Sequence, residues 1–314
     1  MSEIASKTAI QSRHTEIFAF YLPRDSDNLH EECKMENQTL YGIEDSRVMN
    51  EDVGSWSAEK YGAFRLYAQI FSNTMKDKWK SLTYLDLYAG AGQSRVKSTG
   101  ELLLGSPLIA LSLDLQFHTY VLCEEDVEKL AALRARVNER FPQAKAIFVE
   151  GDCNDTVEQI RVALPRGSLT LCFVDPYRLN IRFDTIRALA NDRNVDFLCL
   201  LASRMDAGRN PHNYTREESK EADLFLGSNA WREKWDAAKK EVAKSPNLGD
   251  FLCREFSKQM ESLGYLPTEM HEMKAIKTDS GVVLYHLALF SKNAMAKKFW
   301  KQASVYSHSQ REMF

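Results

Sequence analysis

Tyr84-Leu85-Asp86-Leu87-Tyr88-Ala89-Gly90-Ala91-Gly92 decides the fold. A short β-rich run gives way to a turn with two glycines, which marks a strand ending where the backbone must approach something closely. The same punctuation recurs downstream. Residues 119–123 are an apolar run closed by Glu124-Glu125-Asp126, and residues 146–149 run into Glu150-Gly151-Asp152. Residues 168–174 end in Asp175-Pro176-Tyr177, and residues 196–201 form a fifth run of the same kind. Helical stretches separate these runs. One opens at Gly105-Ser106-Pro107 and extends to Leu113, with Ser106 as its N-cap and Pro107 at its first position. Others cover Val127–Arg140, stopped by Pro142, residues 156–163, and Phe183–Ala190. Repeated strand–helix–strand units predict a mostly parallel, Rossmann-like α/β sheet with helices on both faces.

Upstream of the glycine turn, Tyr61, Phe64, Leu66, Tyr67, Ile70, Phe71 and Met75 recur at helical spacing behind Ser57, a candidate N-cap. That helix should cover one face of the sheet. Residues 1–55 are a polar extension with one helix around residues 16–21. Residues 56–202 form the core, with a polar loop over residues 93–100. Residues 203–250 interrupt the alternation and are expected to form an insertion or lid. Residues 251–314 supply a helix and two β-like runs, 270–276 and 282–290, joined at Thr278-Asp279-Ser280-Gly281. These should complete the sheet as an antiparallel hairpin.

Composition sets the outer bounds. The 314 residues are 44% hydrophobic and 27% charged with net charge −3, which excludes a disordered tail and leaves no global footprint for polyanions. None of the six cysteines has CxxC spacing, so no zinc knuckle or redox motif is expected, and no metal. Cys123, Cys172 and Cys199 fall in strand-like runs, where a thiol packs as a small hydrophobe. No apolar run suits a bilayer, and the first residues lack a signal-peptide core. A reduced, cytoplasmic protein without membrane contact is the expectation.

In an open α/β sheet the ligand lies beyond the carboxyl ends of the strands, at the point where strand order reverses. Gly90 and Gly92 admit a ligand to the backbone after the first strand, and Asp86 either fixes that turn or receives a ligand ammonium through water. Glu124, after the second strand, suits two ribose hydroxyls. Asp152, after the third, suits an adenine amine. Tyr88 and Asn154 flank these groups and join them as cofactor-binding candidates. Asp175, Pro176 and Tyr177, after the fourth strand, face the reacting group. A nicotinamide cofactor would ask for GxGxxG, whereas Gly90-Ala91-Gly92-Gln93-Ser94-Arg95 has no third glycine and no helix follows at once. The set therefore favours S-adenosylmethionine, and a nicotinamide-dependent oxidoreductase is disfavoured.

The segments Tyr84 to Gly92, Gly105-Ser106-Pro107-Leu108-Ile109-Ala110-Leu111, Gly151-Asp152-Cys153-Asn154, Phe173-Val174-Asp175-Pro176-Tyr177 and Leu284-Tyr285-His286-Leu287-Ala288-Leu289-Phe290-Ser291-Lys292, with Trp300, together resemble the three-Cys-motif partner (TcmP) family. The resemblance implies a class I methyltransferase-like fold and a partner with three cysteines similar to radical-SAM proteins. Asp175-Pro176-Tyr177 also resembles the Asp/Asn-Pro-Pro-Tyr element of amino-methyltransferases acting on bases. That implies Asp175 as acceptor of the amine's hydrogen bond and Tyr177 as a stacking platform, with one proline missing. The expected reaction is methyl transfer to a nitrogen or oxygen of a larger substrate. Nucleic acid is one candidate, contacted by Arg204 and Arg209 of the lid. The alternative is a non-catalytic, cofactor-binding partner subunit.

Overall fold

A computed structural model describes residues 50–241 and 246–311. The helix expected around residues 16–21, and Cys33, lie outside the described residues. In chain order the elements are β1 (Glu51–Val53), α1 (Trp56–Met75), β2 (Leu82–Asp86), β3 (Gln93–Val96), β4 (Leu102–Leu104), α2 (Ser106–Leu111), β5 (Thr119–Glu124), α3 (Val127–Arg140), β6 (Ala146–Glu150), α4 (Val157–Ala163), β7 (Leu169–Val174), α5 (Phe183–Ala190) and β8 (Asn194–Leu201). A π-turn, Ser203–Ala207, then leads to α6 (Pro211–Thr215), α7 (Glu221–Leu226), α8 (Trp231–Glu241), α9 (Leu248–Ser262), a 3₁₀ turn (Met270–Glu272), β9 (Lys274–Lys277), β10 (Val283–Phe290) and α10 (Ala294–Arg311).

Every residue of β2, β5 and β7 is buried, as expected of strands covered on both faces. They form the centre of a seven-stranded sheet of order β6-β5-β2-β7-β8-β10-β9. The five strands β6, β5, β2, β7 and β8 run parallel, and β10 is antiparallel to both β8 and β9. The chain starts at the centre, moves outward through β5 and β6, then returns to β7. The reversal lies between β2 and β7, where Asp86 stands opposite Phe173.

Aromatic packing fixes the layers. On one face Phe64 of α1 meets Tyr84 and Phe173 at 5.7 and 4.6 Å, and Tyr67 meets Trp300 of α10 edge-on at 5.7 Å. On the other, Phe256 of α9 packs on Phe183, Phe225 and Phe290. The expected architecture is present.

Local boundaries differ instructively. Ser57 is buried inside α1, and the N-cap position falls at Ser55, whose hydroxyl bonds Asp279 at 2.8 Å rather than the helix. Gly105, not Ser106, caps α2. The polar loop expected over residues 93–100 is in part a strand. β3 pairs with β4 and, in parallel, with β1, giving a separate three-stranded sheet. Residues 51–53, read as part of the extension, therefore belong to the folded body. α9 begins at Leu248, where the Asn247 side chain accepts the Asp250 N–H at 3.1 Å. The run at 270–276 is a 3₁₀ turn before a shorter strand.

Candidate active site

The glycine turn is held from three sides. Gly90 and Gly92 have φ of +60° and +81°, in the left-handed region that glycine enters without penalty. A Cβ on Gly92 would lie 2.6 Å from Leu133 Cδ1, and one on Gly90 would lie 2.5 Å from Glu51 Oε2. Buried Arg136 of α3 donates to the Ala91 carbonyl at 2.6 Å and to Asn50 Oδ1 at 2.8 Å. Nothing in its helical sequence context marks Arg136 as a clamp on a loop 45 residues earlier.

Asp86 is fully buried below the turn. It accepts the Tyr84 hydroxyl at 2.7 Å and the Tyr88 N–H at 3.2 Å, with Ser106 as a further donor. Burial dominates over these bonds and pushes its carboxyl up to about 7. Of its two expected roles, fixing the turn is the one these bonds perform. Tyr88 is largely buried beside Cys153, and burial raises its hydroxyl far above the usual phenol range.

Glu124, at the end of β5, accepts the Gly90 N–H at 2.8 Å and the Asp126 N–H at 3.0 Å. Burial raises its carboxyl, opposed by those two amides and by Lys129. Asp152 receives the Asn154 backbone and side-chain N–H groups on one oxygen, at 2.7 and 2.8 Å. Asn154 is a tether as well. Its side-chain oxygen accepts from Arg182 N and Thr185 Oγ1, both at 2.8 Å, which fastens the loop after β6 to the start of α5.

Asp175, just past β7, meets a residue that sequence reasoning passed over. Lys60, from the second turn of α1, bonds Asp175 Oδ2 at 2.5 Å, with both side chains 11% exposed. Burial opposes the charge, but the neighbouring Asp175 and Tyr61 outweigh it and hold the Lys60 ammonium above its ordinary pKa. Its ammonium lies 4.5 Å from the Tyr61 ring centroid. Burial pushes the Tyr61 and Tyr285 hydroxyls up to about 12 each. Tyr285, on β10, lies within electrostatic reach of Lys60, Asp175, Tyr177 and Arg209. Pro176 is buried, whereas the Tyr177 ring is 76% exposed. The chain thus gathers an ion pair and three tyrosines at the carboxyl ends of the strands.

The lid residues divide. Arg204, in the π-turn, is bound bidentately by Asp250, through Nε at 3.1 Å and Nη2 at closer range. Arg209 is exposed. Trp231 and Trp235 are buried, Trp231 donating to Asp223 at 2.8 Å. The five described cysteines are buried free thiols. No helix among the described residues is long and apolar enough to cross a membrane.

Five parallel strands, a closing antiparallel hairpin and polar groups gathered at the reversal point define a Rossmann-like protein of the class I methyltransferase fold. No protein-family model matches the chain, and no curated protein sequence does. Among solved structures it is similar to the O-methyltransferase from Bacillus cereus in complex with SAH, at 13% identity over 88% of this chain and 96% of that one, with a TM-score of 0.44. It is also similar to Trm1 from Pyrococcus horikoshii with S-adenosyl-L-methionine, at 9% identity over 82% of this chain and 61% of that one, with a TM-score of 0.43. Superpositions this loose do not bear on chemistry, which rests on the site itself.

Proposed function

We propose that the chain is an S-adenosylmethionine-dependent methyltransferase acting on a nitrogen or oxygen of a larger substrate. The observation that carries this reading is the convergence of the Gly90–Gly92 cradle, Glu124, Asp152 and Asp175 on the ends of four adjacent parallel strands. The residues fit the cofactor. The left-handed turn at Gly90 and Gly92 has no room for a Cβ against Glu51 and Leu133, so its backbone can come close to a ligand only as glycine. Glu124 spends one bond per oxygen on backbone amides, and a carboxylate has about four acceptor sites, so ribose hydroxyls can still be received. The second oxygen of Asp152 suits the adenine amine. Bound there, the cofactor supplies a methyl group on a sulfonium, a strong electrophile.

The chain's own work is to aim a nucleophile. Lys60 pins Asp175 Oδ2 and leaves Oδ1 to accept an N–H or O–H from the methyl acceptor, lining up its lone pair. In this pairing Lys60 acts as a donor that orients the Asp175 carboxylate. The exposed Tyr177 ring offers a platform for a planar acceptor.

The resemblance to the TcmP family adds a three-cysteine, radical-SAM-like protein as a partner, and the unpaired cysteines among the described residues favour the reducing cytoplasm as location. Binding without turnover is the second reading, favoured by the ion pair that already occupies half of Asp175. Calorimetric titration with S-adenosylmethionine and its demethylated product tests cofactor binding. Silence with both would end the methyltransferase reading. Labelled-methyl transfer to host RNA, DNA and protein then separates the two readings. Asp175→Ala should abolish transfer with cofactor affinity nearly intact.

A further inference from the structure

A groove of about 550 Å³ lies along the β9 edge of the sheet, between β9 and α10. Lys274, Lys277, Lys297, Lys298 and Lys301 line it, against one carboxylate, Glu272. The whole chain carries net charge −3, so this is a local concentration of cations and not a general property of the surface.

Packing accounts for two of the five. Lys274 pairs with buried Glu59 at 3.2 Å and donates to the Ser304 carbonyl at 3.1 Å. Lys297 donates to Pro267 O and Thr268 Oγ1, both at 2.8 Å, and pairs with Glu272 at 3.2 Å. Packing does not account for Lys277, Lys298 and Lys301. A lysine on an edge strand can serve to block strand addition, which would explain Lys277. It does not explain Lys298 and Lys301, exposed on the helix that forms the opposite wall. Three residues apart, they are neighbours on one helical face, where like charges repel.

The groove and the candidate active site share two elements, β10 and α1, on which their residues are close neighbours. Lys277 stands opposite Val283, two residues before Tyr285. Glu59, which holds Lys274 at the groove wall, is followed by Lys60, which holds Asp175. We propose that this groove carries the phosphodiester backbone of a single-stranded nucleic acid and delivers one of its bases toward Asp175. A concave, strand-and-helix-walled groove suits a narrow polyanion, whereas an anionic membrane needs a flat or convex cationic face. The inference rests on the methyl-transfer reading only for where the base goes, not for the binding itself.

Fluorescence anisotropy with labelled RNA and DNA single strands of about 15 nucleotides tests it. Both strands should bind, with log affinity falling against log salt. Lys277→Glu/Lys298→Glu/Lys301→Glu should weaken binding at least about tenfold at low salt and flatten that slope by about 2, the release expected for three phosphates on a single strand. The triple glutamine variant should give a smaller loss in the same direction and guards against misfolding by charge reversal. Equal affinity of the wild type and both variants would overturn the proposal. So would binding of anionic lipid vesicles, but of neither oligonucleotide, that the same substitutions abolish. Calorimetry with S-adenosylmethionine alone should not distinguish the variants from wild type. Oligonucleotide binding that the substitutions weaken, in a protein that takes no cofactor, would keep the groove and discard methyl transfer.

Discussion

Asp86→Asn is the sharpest single perturbation available. The wild-type carboxyl is fully buried and pushed from 3.8 to about 7, chiefly by burial. At about 1.36 kcal/mol per pH unit, that displacement is worth at most roughly 4 kcal/mol. Its sign follows from the direction. A folded-state pKa above the unfolded one means Asp86 adds no penalty below about pH 4, then costs increasing stability until pH passes about 7. Between about pH 5 and about pH 8 the loss is roughly 2–3 kcal/mol. Asparagine is isosteric and uncharged, and the hydroxyls of Tyr84 and Ser106 can reverse to accept from its amide, so the variant should lack this term. Urea unfolding followed by tryptophan fluorescence at both pH values gives the two stabilities. The variant's stability relative to wild type should improve by roughly 2–3 kcal/mol from the acid to the alkaline condition. Asp196, which burial raises to about 6 against Ser291 and Lys292, acts in the same direction but is common to both proteins and cancels. A relative stability constant to within about 0.5 kcal/mol, well below the expected change, would refute the reasoning. A functional arm follows: a ligand ammonium near Asp86 would draw out its proton. Cofactor titrations below about pH 7 in buffers of different ionisation enthalpy should then reveal proton release from wild type and none from Asp86→Asn.

Lys60→Met should cost about 3–5 kcal/mol in urea unfolding, because it strands the buried Asp175 charge. Adding Asp175→Leu should recover part of that loss, and a double variant less stable than Lys60→Met would contradict the pairing. Gly92→Ala should destabilise by roughly 2–3 kcal/mol, combining left-handed strain with the 2.6 Å approach to Leu133, and should weaken cofactor binding on calorimetry. Arg136→Met should cost about 1–3 kcal/mol by leaving the Ala91 carbonyl short of its donor. If the clamp shapes the turn, the same variant should also lower cofactor affinity.

The central strands and their acidic ends were legible because each claim needed only a short stretch: an apolar run, then a glycine or a carboxylate. Local sequence carries that much. Lys60 was not legible, because its helical neighbours, Glu59 and Tyr61, fit an ordinary amphipathic face, and its partner lies 115 residues away. Arg136 escaped for the same reason, since α3 has the charged composition of a solvated helix while this one guanidinium points inward. The β3–β4 hairpin escaped differently. Gln93-Ser94-Arg95-Val96 is polar enough for a loop and becomes a strand through pairing with β1 and β4. Arg204 and Arg209 looked alike as lid cations until Asp250 was seen to claim the first.

The first turns of α1 place two ion pairs on consecutive residues. Glu59 faces the hairpin edge through Lys274, and Lys60 faces the reversal point through Asp175. Adjacent positions on one rigid helix cannot shift independently, so this segment is a lever with an arm at each location. Any preference that occupancy at Asp175 imposes on the helix is felt at the sheet edge, and the converse preference must be of identical size. If occupancy at either place shifts this segment, each must alter affinity at the other by the same factor.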